Sequence, residues 1–145
     1  MIRLRIFEWL TIVSLIVGMI MLAWFFYFQP PPIKVLRGWV DDYQVPRGQY
    51  AYFHYEAEKY RSCPGFSYFY INDSDEVIIR VESEGVGWND EGTRTITYKV
   101  EIPKIAAIGP AEFWETITYD CTPFRAHIVR TPRIPFEIIH EAAPG

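Results

Sequence analysis

The feature that most constrains this chain is an uncharged run near its amino terminus, WLTIVSLIVGMIMLAWFFYF, which covers residues 9–28. At about 1.5 Å per residue, a helix of this length is roughly 30 Å long and matches the hydrocarbon core of a bilayer. Aromatic residues stand near both ends, where membrane interfaces favour them: Trp9 at one end, Trp24 and Tyr27 at the other. The run therefore predicts a transmembrane helix, with the lipid bilayer as its partner and these three residues at the interfaces.

A cleaved signal peptide is the alternative interpretation of this segment. Its apolar region would be shorter, about 7 to 15 residues, and small residues would mark the cleavage site. Here the run ends in bulky rings, followed by Gln29 and three prolines, which favours an uncleaved anchor. Consecutive prolines also end a helix and favour an extended spacer. The expected division is a short N-terminus (1–8), a transmembrane helix (9–28), a proline-rich spacer (29–32) and a domain (33–145).

The charges around the span predict its orientation. Arg3 and Arg5 precede it against Glu8 alone, so the positive-inside tendency favours a cytoplasmic N-terminus and a periplasmic or extracellular domain. Without those three residues, 12 of the 14 basic and 17 of the 18 acidic residues remain, and the domain has a net charge of about −5. Nucleic acids and anionic membrane surfaces favour basic proteins, so nucleic acid is not expected as a partner.

After the spacer, short alternating patterns separated by Gly, Pro, Asn and Asp predict β-strands. In RTITYKVEI (94–102), for example, Ile96, Tyr98 and Val100 share one face. Comparable patterns lie at 33–39, 49–60, 66–71, 77–82, 111–121 and 133–138. About seven short strands in a domain of this length predict an all-β antiparallel sandwich after the helix.

Cys63 and Cys121 are the only two cysteines of the chain. Outside the cytoplasm, paired cysteines tend to form disulfides. These two isolated cysteines lack the close spacing of zinc sites and have no histidine near either one, and redox pairs usually have the form Cys-x-x-Cys. If the strand that contains Tyr50 continued to Pro64, both cysteines would point into the core from strands of opposite sheets. The pattern therefore predicts a disulfide between them.

The triplet Tyr119-Asp120-Cys121 resembles the end of strand F in immunoglobulin-like domains, where a tyrosine stands two residues before the second cysteine. The segment IPKIAAIGPAEFW (102–114) resembles the turn that leads into that strand. This resemblance implies an immunoglobulin-like or fibronectin-like sandwich, although no tryptophan follows Cys63 at the usual distance. The whole plan, with the cysteine contexts RSCPG and CTPF, also resembles small single-pass membrane proteins of bacteria and their phages.

Large aromatic rings on the outward faces of the predicted strands are the main functional signal. Trp and Tyr dominate binding hot spots, so such rings predict a recognition surface for a protein partner. The alternative is that loops cover them, or that they pair across strands and only stabilise the sheet. The candidate partner-binding residues are Trp114, Tyr50, Tyr52, Tyr68, Tyr70 and Trp88.

Other polar motifs predict no catalytic or metal site. His54, His127 and His140 are far apart in sequence, and His54 falls on a polar face where a solvated side chain is expected. The acidic stretch NDSDE (72–76) lacks the glycine and distal glutamate of an EF-hand loop and predicts a solvated hairpin turn. GVGWNDEG (85–92) lacks the lysine and following helix of a phosphate loop. No catalytic residue, metal or cofactor is expected.

Together these features predict a non-enzymatic, membrane-anchored binding or assembly module outside the cytoplasm, by analogy with other sandwich domains. An accessory subunit of a larger membrane complex is the first alternative. An enzyme acting on envelope polymers is the second, but no acid–base pair can be nominated for it. Ser14 and Gly18 form a small-xxx-small pair in the anchor, which is compatible with helix association in a homo-oligomer.

Overall fold

A computed structural model describes residues 2–85, 90–122 and 125–140 of the chain. Its first element is helix α1, Ile2–Tyr27. The part Glu8–Tyr27 has a mean hydropathy of 2.3, is not buried inside the protein, and is long and apolar enough to cross a membrane. The expected apolar helix is therefore present. It begins before the uncharged run, because the preceding Arg, Leu and Ile residues are all compatible with helix.

The chain after the spacer is mostly β-structure. The ten strands described, in chain order, are β1 (Ile33–Val40), β2 (Gln44–Pro46), β3 (Tyr50–Lys59), β4 (Gly65–Asn72), β5 (Ile78–Val81), β6 (Ser83–Gly85), β7 (Gly92–Glu101), β8 (Gly109–Thr122), β9 (Arg125–Arg130) and β10 (Ile134–Ile139). All seven predicted strands are present. The sequence pattern missed β2 and β6, which are too short to show alternation, and β9, in which His127 alone is buried.

The strands form two sheets. One has four strands in the order β1-β3-β7-β6, and all of its pairs are antiparallel. The other has six strands, in the order β2-β10-β8-β4-β5 with β9 paired to β8. Because β2 and β10 run parallel, the expectation of a purely antiparallel fold is wrong at this edge. Apolar alternation predicts which face a strand buries, but it carries no information on the direction of the neighbouring strand.

Aromatic side chains from both sheets meet in the core. Phe53 of β3 stacks on Phe113 of β8 with ring centroids 3.9 Å apart, and Phe136 of β10 meets Phe53 edge-on at 5.3 Å. All three rings are almost completely buried. These contacts pack the two sheets face to face. Burial of one such side chain contributes roughly 1.5–3 kcal/mol to folding stability. Val77, the first residue of the predicted strand 77–82, is instead exposed in the turn before β5.

Cys63 and Cys121 form a disulfide with their Cα atoms 5.0 Å apart. The predicted pairing is confirmed, but the strand that was expected to carry Cys63 ends earlier. Strand β3 stops at Lys59, and residues 60–64 form a connection without regular structure. The two cysteines therefore do not project from facing strands of opposite sheets.

The connection instead brings Cys63 alongside β8, in the six-stranded sheet. The Asp120 N–H donates to the Pro64 carbonyl at 2.9 Å, and Gly65 pairs with Tyr119. Cys63 lies two residues before Gly65, and Cys121 lies two residues after Tyr119, so both cysteines lie just beyond the same end of this ladder. The disulfide thus extends the β4–β8 ladder, which differs from the inter-sheet bridge of antibody domains.

The acidic stretch 72–76 forms the hairpin turn between β4 and β5, as predicted. Asp73 is buried, however, and its carboxylate accepts the N–H groups of Asp75, Val77 and Ala107 at 2.9–3.1 Å. Burial by itself would raise the pKa of Asp73, but these donors outweigh it and hold the pKa below its usual value. The carboxylate fixes the turn instead of being solvated.

Candidate functional site

Side chains on the outer face of the six-stranded sheet form an aromatic–arginine cluster, which we define as Tyr68, Tyr70, Arg80, Trp114 and Arg133. Tyr70 of β4 lies opposite Trp114 of β8 in the ladder, and their rings stack with centroids 5.6 Å apart. Residues directly opposite each other in antiparallel strands are close enough for such a contact. The alternation that turns odd-numbered residues of β4 and β8 into the core places these rings outside.

Two guanidinium groups lie over rings of this cluster. The Cζ atom of Arg133 is 4.9 Å from the Trp114 ring centroid, and that of Arg80 is 4.4 Å from the Tyr68 centroid. Each cation–π contact contributes roughly 0.5–1 kcal/mol at an exposed site. Stacking uses the flat face of a guanidinium and leaves its N–H donors, which lie in the plane of the group, able to form hydrogen bonds to a carboxylate or phosphate. The cluster is thereby organised to receive an anionic group.

A groove of about 510 Å³ opens beside the Tyr70–Trp114 stack. Its lining residues are Tyr70, Ile78, Trp114, Thr116, Arg130, Thr131 and Arg133. Ile78 is 62% exposed on the short strand β5, and Arg130 and Arg133 are exposed as well. Apolar walls combined with a few polar groups are typical of sites that bind another molecule.

The structure divides five of the six predicted aromatic residues between two faces. Tyr68, Tyr70 and Trp114 lie together in the cluster, where Trp114 is half-buried because Tyr70 and Arg133 pack on it. Tyr50 and Tyr52 are exposed on the outer face of the four-stranded sheet. Trp88 lies outside the described residues.

Tyr50 takes part in a separate contact. The Nζ atom of Lys99 is 4.1 Å from the centroid of its ring, and both residues line a second groove of about 390 Å³. This groove also includes Arg80, Glu82 and Glu101, so it mixes charges of both signs. Its glutamates repel an anionic ligand, so the second groove favours such a ligand less than the first groove does.

The four-stranded sheet carries a polar arrangement that the sequence did not suggest. The Nε2 atom of His54 lies 2.9 Å from Asp41 Oδ1, its Nδ1 atom lies 2.9 Å from Thr97 Oγ1, and its ring stacks on Trp39. The expectation of a solvated His54 is therefore wrong, because residues of both neighbouring strands cover it. Only the strand register, which pairs Trp39 with His54 and His54 with Thr97, brings these groups together.

The order carboxylate, imidazole, hydroxyl in this arrangement is also used to activate nucleophiles. Such a role needs an adjoining groove in which a substrate can lie beside the hydroxyl. Neither of the two grooves described above is lined by Asp41, His54 or Thr97. Its contacts join residues of three neighbouring strands and so stabilise the sheet across them.

Glu115 is a buried carboxyl group, 1% exposed, on the inner face of β8. The Tyr98 hydroxyl donates to its Oε1 atom at 3.1 Å, and the Glu115 N–H donates to Thr131 Oγ1 at 2.8 Å. Burial raises the pKa of Glu115 to about 7, against the smaller opposing effects of hydrogen bonds from Ser67 and Tyr98. The one polar residue on an otherwise apolar strand face is thus a hydrogen-bonded part of the core.

Within residues 2–85, 90–122 and 125–140, no group of three or more His, Cys, Asp and Glu side chains is arranged to hold a metal ion. The disulfide occupies both cysteines, so neither thiol is available as a ligand.

No protein-family model and no curated protein matches the sequence. Among solved structures, the chain is similar to the alkylpurine DNA glycosylase AlkC of Pseudomonas fluorescens bound to DNA containing an abasic site analogue, with a TM-score of 0.50 and 11% sequence identity. The similarity covers 77% of this chain and 31% of that chain, so it spans about a third of the glycosylase. At this identity the likeness concerns the fold alone.

That likeness corrects two expectations drawn from the sequence. A non-enzymatic protein that binds no nucleic acid was expected, but a fold similar to this one occurs in an enzyme that has DNA bound. Both exclusions are therefore wrong and are withdrawn. The physical weakness of the charge argument is that a net charge of about −5 averages over the whole domain, whereas Arg130 and Arg133 line one groove whose described lining residues include no acidic one.

Proposed function

We propose that this protein is a membrane-anchored binding module, whose β-rich domain lies outside the cytoplasm and captures a partner through the aromatic–arginine cluster. The observation that carries the proposal is the groove beside the Tyr70–Trp114 stack, with exposed Ile78 and exposed guanidinium groups at its walls. Aromatic and arginine side chains are the residues most enriched at binding hot spots.

The outward location of the domain is part of the same proposal. Arg3 and Arg5 before the span favour a cytoplasmic N-terminus, and a disulfide persists in oxidising compartments. We further infer that the domain is a variant immunoglobulin-like sandwich, supported by two sheets packed around Phe53 and Phe113. The parallel β2–β10 pair is its main departure from that class.

We expect the full-length protein to stay in the membrane fraction after carbonate extraction, because Glu8–Tyr27 is long and apolar enough to span the hydrocarbon core. Mass spectrometry of that fraction measures the intact chain. Protease added on the outer side of the membrane should degrade the domain and spare the helix. A soluble product that lacks residues up to about 29 would show instead that the helix is a cleaved signal.

Trp114→Ala is expected to weaken partner binding by more than about tenfold, since losing a tryptophan anchor typically costs about 2 kcal/mol or more. Because Tyr70 and Arg133 pack on this ring, we also expect a loss of about 1 kcal/mol in folding stability. Co-purification from detergent-solubilised native membranes over a dilution series measures the binding, and urea unfolding measures the stability.

Trp39→Ala is the matched control. Trp39 is also half-buried, stacks on the His54 ring and lies under the Arg37 guanidinium, but it belongs to the four-stranded sheet. It should lose similar stability and keep partner binding. Equal loss of binding in both variants would mean that the effect follows from stability and not from the cluster.

Nucleic acid is a second candidate ligand for the same cluster. The likeness to a DNA-bound glycosylase and the presence of arginines beside aromatic rings favour it. One observation opposes it: the Trp114 ring already packs against Tyr70 and Arg133 rather than standing open to a base.

A further inference from the structure

We infer that the groove binds an acidic peptide: an extended segment of a partner protein that presents carboxylates on either side of one apolar side chain. The inference rests on the proposed function, because it names the chemistry of the partner for the same cluster. Charge, shape and strand position each support it.

The charge around the groove is opposite to the charge of the domain. Among the described lining residues two are arginines, Arg130 and Arg133, and none is acidic. Arg80 adds a third exposed guanidinium beside Tyr68. Arg80 itself lines the second groove, and Arg133 already pairs with Glu112. The positive charge of the first groove therefore comes from Arg130 and the remaining donors of Arg133, which favour carboxylates there.

The groove carries partners for both parts of such a peptide. Glu112 accepts one hydrogen bond from Arg133 at 2.7 Å, and a guanidinium has five N–H donors, so further donors remain for a ligand carboxylate. The exposed Ile78 and the Trp114 ring form the apolar part of the lining. A volume of about 510 Å³ is large enough for one aliphatic or aromatic side chain with part of its backbone.

Strand β5, which contributes Ile78, is the last strand of its sheet in the described part of the chain and pairs with β4 alone. The outer edge of such a strand presents backbone N–H and C=O groups that an extended peptide can pair with. Side chains of a peptide bound there would alternate, so that every second one faces the outer surface beside Ile78 and Arg80.

A peptide fits these features better than a nucleic acid does. A short segment places its few carboxylates at the arginines, whereas a phosphate chain carries one charge at every nucleotide and needs partners beyond them. Binding of single strands also relies on aromatic rings with open faces on which bases stack. In this cluster Arg133 lies over Trp114 and Arg80 lies over Tyr68.

Fluorescence anisotropy with the full-length protein in nanodiscs of zwitterionic lipid tests the inference. The probes are a labelled decapeptide with Asp residues flanking a central Leu, the same peptide with every Asp replaced by Asn, and a labelled decathymidylate. We expect the Asp peptide to bind at least about tenfold more tightly than the Asn peptide and to weaken as salt is added. The double variant R130Q/R133Q should lose at least about tenfold in affinity for the Asp peptide.

Arg37→Gln is the matched control, because Arg37 also lies over a tryptophan and pairs with a glutamate, Glu56, on the other sheet. It should bind the Asp peptide as the wild type does. Equal binding of the Asp and Asn peptides, or equal loss in R37Q and R130Q/R133Q, would overturn the inference. So would binding of the decathymidylate alone. If the Asp peptide fails to bind while Trp114→Ala still weakens partner binding, the acidic-peptide inference fails and the proposed function stands.

Discussion

Replacing Cys63 and Cys121 together with serine is expected to lower the free energy of unfolding by about 4 kcal/mol. The disulfide joins residues 58 positions apart, and the chain-entropy estimate for closing a loop of this size is about 4 kcal/mol. Both cysteines also pack against a buried cluster that includes Ile117 and Tyr119, so the bridge ties β8 to the connection that precedes β4. Since domains are typically stable by only about 5–15 kcal/mol, the loss removes a large share of the total.

Urea unfolding with and without dithiothreitol measures this effect. The reductant should lower the midpoint of the wild type to that of the variant and leave the variant unchanged, which separates the bridge from the serine side chains. Peptide mapping without reduction should recover the two cysteines as one linked pair. Alkylation of both thiols in folded, unreduced protein would contradict the assignment.

Glu115→Gln is expected to remove a pH dependence of stability on the order of 3 kcal/mol. Burial raises the pKa of Glu115 from 4.5 to about 7, so the folded protein holds this proton more tightly than the unfolded chain does. The stabilisation from the proton is complete below pH 4.5, declines as the pH rises, and is lost above about pH 7. Glutamine cannot ionise, so the stability of the variant relative to the wild type should rise over this interval.

Urea unfolding at several pH values between about 4 and 8 checks this prediction. At the acid end the variant is expected to be about as stable as the wild type or slightly less stable, because glutamine can still accept the Tyr98 hydroxyl hydrogen bond. Glu101→Gln, at an exposed residue of β7, controls for the general loss of one negative charge. If the stability difference between E115Q and the wild type stays constant with pH, the folded protein holds the Glu115 proton no more tightly than the unfolded chain does, and the prediction is wrong.

Alternation in the sequence was sufficient to predict seven of the ten described strands and most of their buried faces. In β8, for example, Phe113, Ile117 and Tyr119 point inward as their spacing indicates. The helix was equally predictable, because an uncharged apolar run of about this length is typical of a helix that can span a membrane. Both features depend on residues close together in the chain, which a sequence displays directly.

Features that depend on strand register or on the identity of the neighbouring strand were not predictable. The outward direction of Tyr70 and Trp114 follows from alternation, but their stacking requires the β4–β8 register. The same holds for the contact of His54 with Thr97 and for the parallel β2–β10 pair. Glu115 is an exception to the apolar alternation of its strand, and only the packed structure shows that Tyr98 accompanies it in the core.

The central claim is that a partner binds in the groove beside Trp114, and site-specific photo-crosslinking in native membranes measures this most directly. Benzoylphenylalanine is placed at Thr116, which lines the groove, and separately at Thr95, which is exposed on the four-stranded sheet. We expect an adduct of one defined mass from position 116, its loss when Trp114→Ala is added, and no adduct from position 95. Equal adducts from both positions, or an adduct from position 95 alone, would contradict the claim.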